Sequence, residues 1–218
     1  MPLLVLAFGA VGAAIGYGAD RLAARWPAHE EGVVRGVDWR TVALVVAGAA
    51  ALGALPLRWS QPLDLGVLAA YFVALIVLMA TDLDQKLLPD AITYPLALAG
   101  VLLLALFVID SGLALNPLLR DKEQPAASAL IAAVGAPALL AGTSLVLRGG
   151  IGMGDLKLAV GLGLMSGLSR LFSGFLVASA ASSIVILGLV LLRRIGLRSA
   201  IPFGPVLIVG GMIAALLP

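Results

Sequence analysis

Two short polar stretches carry most of the chemistry that this sequence could perform. The first, residues 81–95, contains Asp82, Asp84 and Asp90. The second, residues 148–157, places four glycines in the seven residues before Asp155. Each stretch adjoins apolar segments, and a carboxylate at the centre of a bilayer costs about 2.5–3.5 kcal/mol on insertion scales. Acids at the edges of such segments therefore indicate function.

Asp82 and Asp155 are the two acids best placed to act as a pair. Asp82 directly follows the uninterrupted apolar run 65–81, so we expect it on the last helical turn, facing the bundle. Asp84, two residues later, is expected to face solvent. Two carboxylates a few ångströms apart do not both ionise, so one accepts a proton from water while the other polarises a carbonyl group. This arrangement predicts a hydrolase with Asp82 and Asp155 as its catalytic residues.

The residues around the two acids suggest supporting roles. Glycine allows the backbone to approach a substrate closely, and Asp155 is expected to begin a helix, where the positive end of the helix dipole stabilises negative charge. A phosphate site is disfavoured because the Walker pattern is absent. Lys157 could pair with Asp155, contact a substrate or extend along the membrane surface. The predicted supporting or substrate-binding residues are Asp84, Asp90, Gly152, Gly154 and Lys157.

Metal and cofactor sites are not predicted. The spacing of Asp82, Asp84 and Asp90 lacks the alternating acids and central glycine of a calcium loop. The chain has no cysteine, and its one histidine, His29, lies in a charged loop. No block of like charge indicates a nucleic-acid partner. We therefore expect no metal, no cofactor and no nucleic acid.

The composition identifies the class of protein that holds these acids. Of the 218 residues, 61% are hydrophobic and 12% are charged, whereas a soluble domain is about 45–50% apolar and about 25% charged. The polar residues gather in short patches between long apolar runs, which indicates helices rather than a β-barrel. We predict an all-α polytopic helical bundle that forms a single integral-membrane domain over residues 1–218.

A membrane-spanning helix needs about 20 apolar residues, and eight segments are candidates. Seven have adequate length, and the sixth is short and contains three glycines, so it could be a half-helix, a re-entrant segment or a short span extended by its flanks. The eight segments are 2–19, 41–57, 65–81, 91–109, 125–147, 158–169, 171–192 and 199–217.

The distribution of basic residues orients these segments. If all eight cross, ten of the 14 Lys and Arg residues fall on one side. The positive-inside rule then places both polar stretches in the cytoplasm. Asp82 and Asp155 are thus predicted on the same side of the membrane.

Four stretches resemble one known family. Gly-Met-Gly-Asp-Leu-Lys at 152–157 resembles the GxGDxK motif of the type IV prepilin peptidases, and residues 82–90 resemble that family's first aspartate motif, which ends in Leu-Pro-Asp. Residues 201–205 are similar to its C-terminal IPFGP segment, and residues 12–27 are similar to its first span and the turn that follows. The resemblance covers nearly the whole chain in order.

The resemblance implies a function. It implies an intramembrane aspartic endopeptidase, with Asp82 and Asp155 as the catalytic pair, in the bacterial inner membrane. The substrates would be prepilins and pseudopilins, which lose short basic leader peptides at the cytoplasmic face. Many members carry a zinc domain with two Cys-x-x-Cys pairs, associated with N-methylation. Here loop 20–40 takes that place without a cysteine, so the resemblance implies a short form with peptidase activity and leaves methylation unassigned.

Two other functions remain open. In a small proton-coupled transporter, Asp82 and Asp155 would form a proton relay, and the short sixth segment a discontinuous helix. A relay requires acids near the bilayer midplane, whereas the sequence places both near one edge. A scaffold within an export machine would leave the glycine-rich stretch unexplained. The oligomeric state is not predicted.

Overall fold

A computed structural model describes residues 2–27, 34–109, 115–121, 125–146, 151–192 and 203–217. Every regular element in these residues is an α-helix. The helices are α1 Pro2–Ala23, α2 Trp39–Arg58, α3 Pro62–Gln85, α4 Asp90–Ile109, α5 Pro117–Asp121, α6 Ala126–Val146, α7 Met153–Leu191 and α8 Gly204–Leu216. In the described ranges, six helices are long and apolar enough to cross a membrane, and α8 is a shorter apolar helix. The chain is a multi-pass helical membrane protein, as predicted.

Helix α7 consists of two arms that meet at Gly167. Gly167 has φ 67° and ψ 174°, a backbone conformation that glycine adopts without the steric cost of a side chain. The chain reverses there. The first arm, residues 153–166, contains most of the predicted short segment, and the second arm, residues 168–191, contains most of the predicted seventh. The two segments are therefore divided at Gly167 rather than at Arg170.

The first arm joins the two ends of the bundle. At its start, Lys157 pairs with Asp90 at the beginning of α4. Just beyond its end, Arg170 pairs with Asp121 and donates to the carbonyl oxygen of Leu217 at 2.8 Å. Its 14 residues rise about 21 Å at about 1.5 Å per residue. The predicted short segment is thus a continuous helix that runs from one end to the other, rather than a half-helix.

We name the two ends by one residue each. The Asp82 end contains Asp82, Asp84, Asp90 and Asp155. The Arg170 end contains Arg58, Asp64, Arg120, Asp121 and Arg170, which are joined by ion pairs.

Side chains from other elements hydrogen-bond to the backbone at the Gly167 reversal. Asn116 Nδ2 donates to the carbonyl oxygen of Met165 at 3.1 Å, and Ser128 Oγ accepts from the backbone N–H of Leu168 at 2.9 Å. Irregular backbone at membrane depth persists only where its polar groups are satisfied by protein or by water in a cavity. These two residues therefore stabilise the reversal.

Close helix contacts at glycines fix the position of the first arm. A Cβ atom at Gly161 would lie 3.4 Å from Leu96 of α4, and one at Gly163 would overlap the backbone of α6 at Ala133. Gly12 and Gly16 of α1 likewise leave no space for a Cβ atom against the backbone of α2. Small residues allow helices in a membrane to approach this closely.

Helix α3 is the central helix and carries Asp82 near its C-terminal end. It has the largest buried share of the six long helices, and it contacts α1, α2, α4, α5 and α8. Phe72, Leu75 and Leu78 are fully buried along its length. Asp82 is thus attached to the best-packed element of the bundle.

Candidate active site

Asp82 lies on the last full turn of α3, as predicted. Its carbonyl oxygen accepts the backbone N–H of Lys86 at 2.9 Å, and Lys86 ends the helix with φ 54° and ψ 38°. The residues from 86 to 89 are not helical, and α4 begins at Asp90, which agrees with the expected effect of Pro89 on the residue before it. The side chain of Asp82 is buried, with the residue only 5% exposed.

Asp155 lies in the first turn of α7, where Gly152 is the N-cap residue. The backbone N–H of Gly152 donates to Asp155 Oδ2 at 3.1 Å. This bond and the positive end of the helix dipole both favour a carboxylate at this position. Asp155 is 8% exposed, so the glycine-rich stretch holds a nearly buried acid in a fixed orientation.

The structure brings the two acids to the same end of the bundle. The two polar stretches also touch, because a Cβ atom at Gly154 would lie 2.9 Å from the Cβ of Leu88. Gly154 therefore allows the start of α7 to pack against the turn that follows Asp82.

A third element, the start of α8, covers Asp82. A Cβ atom at Gly204 would lie 2.8 Å from both Cγ and Oδ2 of Asp82, and 3.0 Å from Oδ1. Gly204 was not among the predicted site residues, although the similarity of residues 201–205 to the IPFGP segment was a signal that could have found it. Residues 201 and 202 lie outside the described residues.

One oxygen of Asp82 has an unusual environment. Oδ2 is buried and has no hydrogen-bond partner among the described residues. Buried polar atoms nearly always have a partner, so each exception requires an explanation. Oδ2 of Asp82 is thus an acceptor whose hydrogen bond the described residues do not supply.

Asp84 does not face solvent, so that expectation was wrong. Its carboxylate accepts from Arg35 Nε at 2.7 Å and from Arg40 at 2.9 Å, and its side chain is 3% exposed. Asp84 does point away from Asp82, as its helical phase requires. Residues from the segment before α2 and from the first turn of α2 cover it. Asp84 belongs to this arginine cluster rather than to the Asp82–Asp155 pair.

Arg35 connects the segment between α1 and α2 to the Asp82 end. Besides Asp84, its guanidinium donates to Asp20 at 2.6 Å and to Asp38 at 2.6 Å. Burial alone would lower the pKa of Arg35, but its bonds to Asp20 and Asp84 outweigh burial and raise that pKa. On the other side of the segment, Gln85 Nε2 donates to the carbonyl oxygen of Pro27 at 2.8 Å.

Lys157 and Asp90 pair with each other and not with the two buried acids. Lys157 Nζ lies 2.7 and 2.8 Å from the two carboxylate oxygens of Asp90, and 4.8 Å from the centre of the Tyr94 ring. The Asp90 side chain is 55% exposed. This pair links α4 to the first arm of α7 at the membrane edge.

No group of three or more His, Cys, Asp or Glu side chains that could hold a metal ion occurs within the described ranges. The expectations of no metal and no cofactor remain predictions. His29 and residues 148–150 of the glycine-rich stretch lie outside the part of the chain that the structure describes.

Comparisons with known proteins agree with the geometry. A family model described as "Type IV leader peptidase family" matches residues 69–191, a range that includes Asp82 and Asp155. The chain is 35% identical over 158 residues to a protein from Aeromonas salmonicida (strain A449), and 36% identical over 160 residues to one from Aeromonas hydrophila. Both relatives are named "Prepilin leader peptidase/N-methyltransferase". Each alignment covers 69% of this chain and 50% of the relative, so the chain spans about half the length of each. No solved structure matches.

Proposed function

Because the chain belongs to the type IV leader peptidase family, we propose that it is an intramembrane aspartic endopeptidase that removes basic leader peptides from type IV prepilins and pseudopilins. The observation that carries the proposal is the placement of Asp82 and Asp155. They are two nearly buried acids on different helices, at one end of a membrane bundle, and the two polar stretches that carry them touch at Gly154 and Leu88.

The geometry supports a hydrolysis in which water attacks the peptide bond directly. One carboxylate accepts a proton from the attacking water, while the protonated partner donates a hydrogen bond to the scissile carbonyl oxygen. The N–H of Gly152 orients Asp155, and Oδ2 of Asp82 has no hydrogen-bond partner among the described residues that water would have to displace. The resulting tetrahedral intermediate collapses when the leaving nitrogen receives a proton from the pair. No covalent intermediate is required.

We place this site at the cytoplasmic face of the bacterial inner membrane. The support is the positive-inside rule. The described basic residues of the Asp82 end are Arg21, Arg25, Arg35, Arg40, Lys86 and Lys157, and those of the Arg170 end are Arg58, Arg120 and Arg170. The leader peptide of the substrate would then be removed on the cytoplasmic side of the membrane.

The proposal treats residues 1–218 as a single integral-membrane peptidase domain. Residues 24–38 connect α1 to α2, and the ends of the predicted loop 20–40 belong to these two helices. It covers peptidase activity alone. The relatives' names include N-methyltransferase, but the chain matches half of their length and contains no cysteine. None of the described contacts assigns a residue to methyl transfer.

The test is cleavage of a pilin-like precursor by protein reconstituted in liposomes. We expect wild type to release a product of lower mass, and Asp82→Asn and Asp155→Asn to release none. Asp121→Asn is the matched control, since it removes an acid at the Arg170 end, and we expect it to retain cleavage. If wild type cuts no precursor but supports proton-coupled uptake that the two variants lose, the transporter function replaces the peptidase.

A further inference from the structure

An apolar groove lies between α6, the two arms of α7 and α8. Its volume is about 170 Å³, and every residue that lines it is apolar. Gly135 and Leu139 of α6 line one side, and Phe172 of the second arm lines the other. Leu162 of the first arm and Leu207 of α8 form the floor, where they are almost completely buried.

The groove begins about one helical turn from the site of the two acids. Ala159, which lines it, lies one helical turn beyond Asp155 on the first arm. Leu207 lies about one turn beyond Gly204, the residue that packs against the Asp82 carboxyl group. The helix that carries Asp155 and the helix that covers Asp82 therefore both continue as the inner wall of the groove.

The groove opens sideways toward the bilayer. Leu139 and Phe172 on its rims are 74% and 66% exposed. At Gly135, a Cβ atom would have no neighbour within 4 Å. A molecule in the bilayer can therefore reach the groove without passing through the bundle.

We propose that this groove is a substrate subsite that binds the apolar helical segment extending from the scissile bond into the bilayer. The inference rests on the proposed function, because a substrate cut by Asp82 and Asp155 must place its next residues at the groove. A segment inside a bilayer keeps its backbone hydrogen bonds only as a helix. A groove of this volume accepts side chains rather than a whole helix, so the segment lies over the opening and inserts residues spaced three or four apart.

A second apolar crevice shows that size alone does not identify the subsite. It lies between α1, α2 and α3, includes Phe8, Trp59 and Gly66, and has a volume of about 440 Å³. Its residues come from the Arg170 end of these helices, so it has no continuity with Asp82 or Asp155. Gly66 resembles Gly135 in having no atom within 4 Å of a Cβ position.

The first test compares Gly135 with Gly66, because both positions have space for a larger side chain. Gly135→Phe fills the proposed subsite, and Gly66→Phe makes the same change in the second crevice. Each variant is assayed on a full precursor and on a short soluble peptide that spans the cleavage site but lacks the apolar segment. We expect Gly135→Phe to raise KM for the precursor about tenfold with kcat unchanged, to leave the short peptide unaffected, and Gly66→Phe to change neither.

Each other outcome overturns the inference in a distinct way. If Gly135→Phe leaves KM for the precursor unchanged, the groove does not bind the substrate. If it slows cleavage of both substrates equally, it acts through the aspartates. If wild type cuts neither substrate, the proposed function fails, and the subsite fails with it.

A second test measures contact directly, using the absence of cysteine from the chain. A single cysteine is introduced by Leu139→Cys in the groove or by Leu98→Cys, which is 59% exposed on α4. Asp82→Asn is included in both proteins to retain the precursor, which carries a cysteine at successive positions of its apolar segment. We expect disulfides with Leu139→Cys at every third or fourth position. Equal yields at Leu98→Cys would overturn the inference.

Discussion

The acids at the two ends of the bundle differ in whether they have a cationic partner. At the Arg170 end, Asp64 pairs with Arg120, and Asp121 pairs with both Arg58 and Arg170. At the Asp82 end, Asp82 and Asp155 are nearly as buried as Asp64 and more buried than Asp121, yet neither has a cationic partner among the ion pairs of the described residues.

This difference separates acids that hold the bundle together from acids that are kept for chemistry. A buried carboxylate without a cation is costly, and bundles retain it where it contributes to function. Asp84 sharpens the contrast, since it lies two residues from Asp82 and is neutralised by Arg35 and Arg40. Proximity to the Asp82 end alone therefore does not make an acid reactive.

The largest effect is expected from removing either unpaired acid. Asp82→Asn or Asp155→Asn should lower the cleavage rate by about 10³-fold or more, because each carboxyl group transfers or shares a proton in the reaction. Thermal unfolding in detergent should show a midpoint equal to or above that of wild type, since a buried charge is removed. A variant that is inactive because it is unfolded would contradict this division of roles.

Gly204→Ala tests whether α8 positions the reacting group. The new Cβ would displace the Asp82 carboxyl group, so we expect kcat to fall about tenfold, equivalent to about 1.4 kcal/mol in the transition state. Gly211→Ala is the matched control on the same helix, because its Cβ would meet Leu162 and Tyr71 instead. Equal losses of kcat in the two variants would show that α8 acts only through stability.

Asp84→Asn tests the paired acid nearest to Asp82. It weakens the bonds to Arg35 and Arg40 without touching the Asp82 carboxyl group, so most of the cleavage rate should remain while the unfolding midpoint falls. Rates are measured per folded protein. A loss of cleavage rate as large as that of Asp82→Asn would show that Asp84 takes part in the reaction.

The smallest effect on cleavage is expected at the Arg170 end. Asp121→Asn should leave the cleavage rate unchanged but lower the free energy of unfolding by on the order of 2 kcal/mol, since it removes a charged hydrogen-bond partner from Arg170. Arg170 keeps its bonds to the carbonyl oxygens of Ala214 and Leu217, which limits the loss. Denaturant titration in detergent measures the change in the free energy of unfolding. A loss of cleavage activity in Asp121→Asn would show that acids at both ends are needed for the reaction.

The sequence alone predicted the features of the site that depend on the local residue pattern. The run of apolar residues before Asp82 placed this acid on the last turn of α3, and the glycines before Asp155 placed that acid in the first turn of a helix. The two lie at the same end, as the charge count required.

What the sequence did not reveal depends on contacts between distant segments. The burial of Asp84 requires Arg35 and Arg40, which no periodicity in residues 81–95 can indicate. The contact of Gly204 with Asp82 depends on how α8 packs against α3. The break between the sixth and seventh segments was expected at the charged Arg170, whereas a glycine with positive φ allowed the reversal three residues earlier.

The hydrogen bonds that Asp84 and Gln85 form with the segment between α1 and α2 also make the protein suitable for engineering. Gln85 bonds to the carbonyl oxygen of Pro27, and Arg35 bonds to Asp84, so both flanks of residues 28–33 are anchored beside Asp82. A fluorophore-binding tag or a recruitment domain inserted between these anchors would be tethered at both ends, next to the site. Such a fusion would report events at the aspartates from outside the membrane.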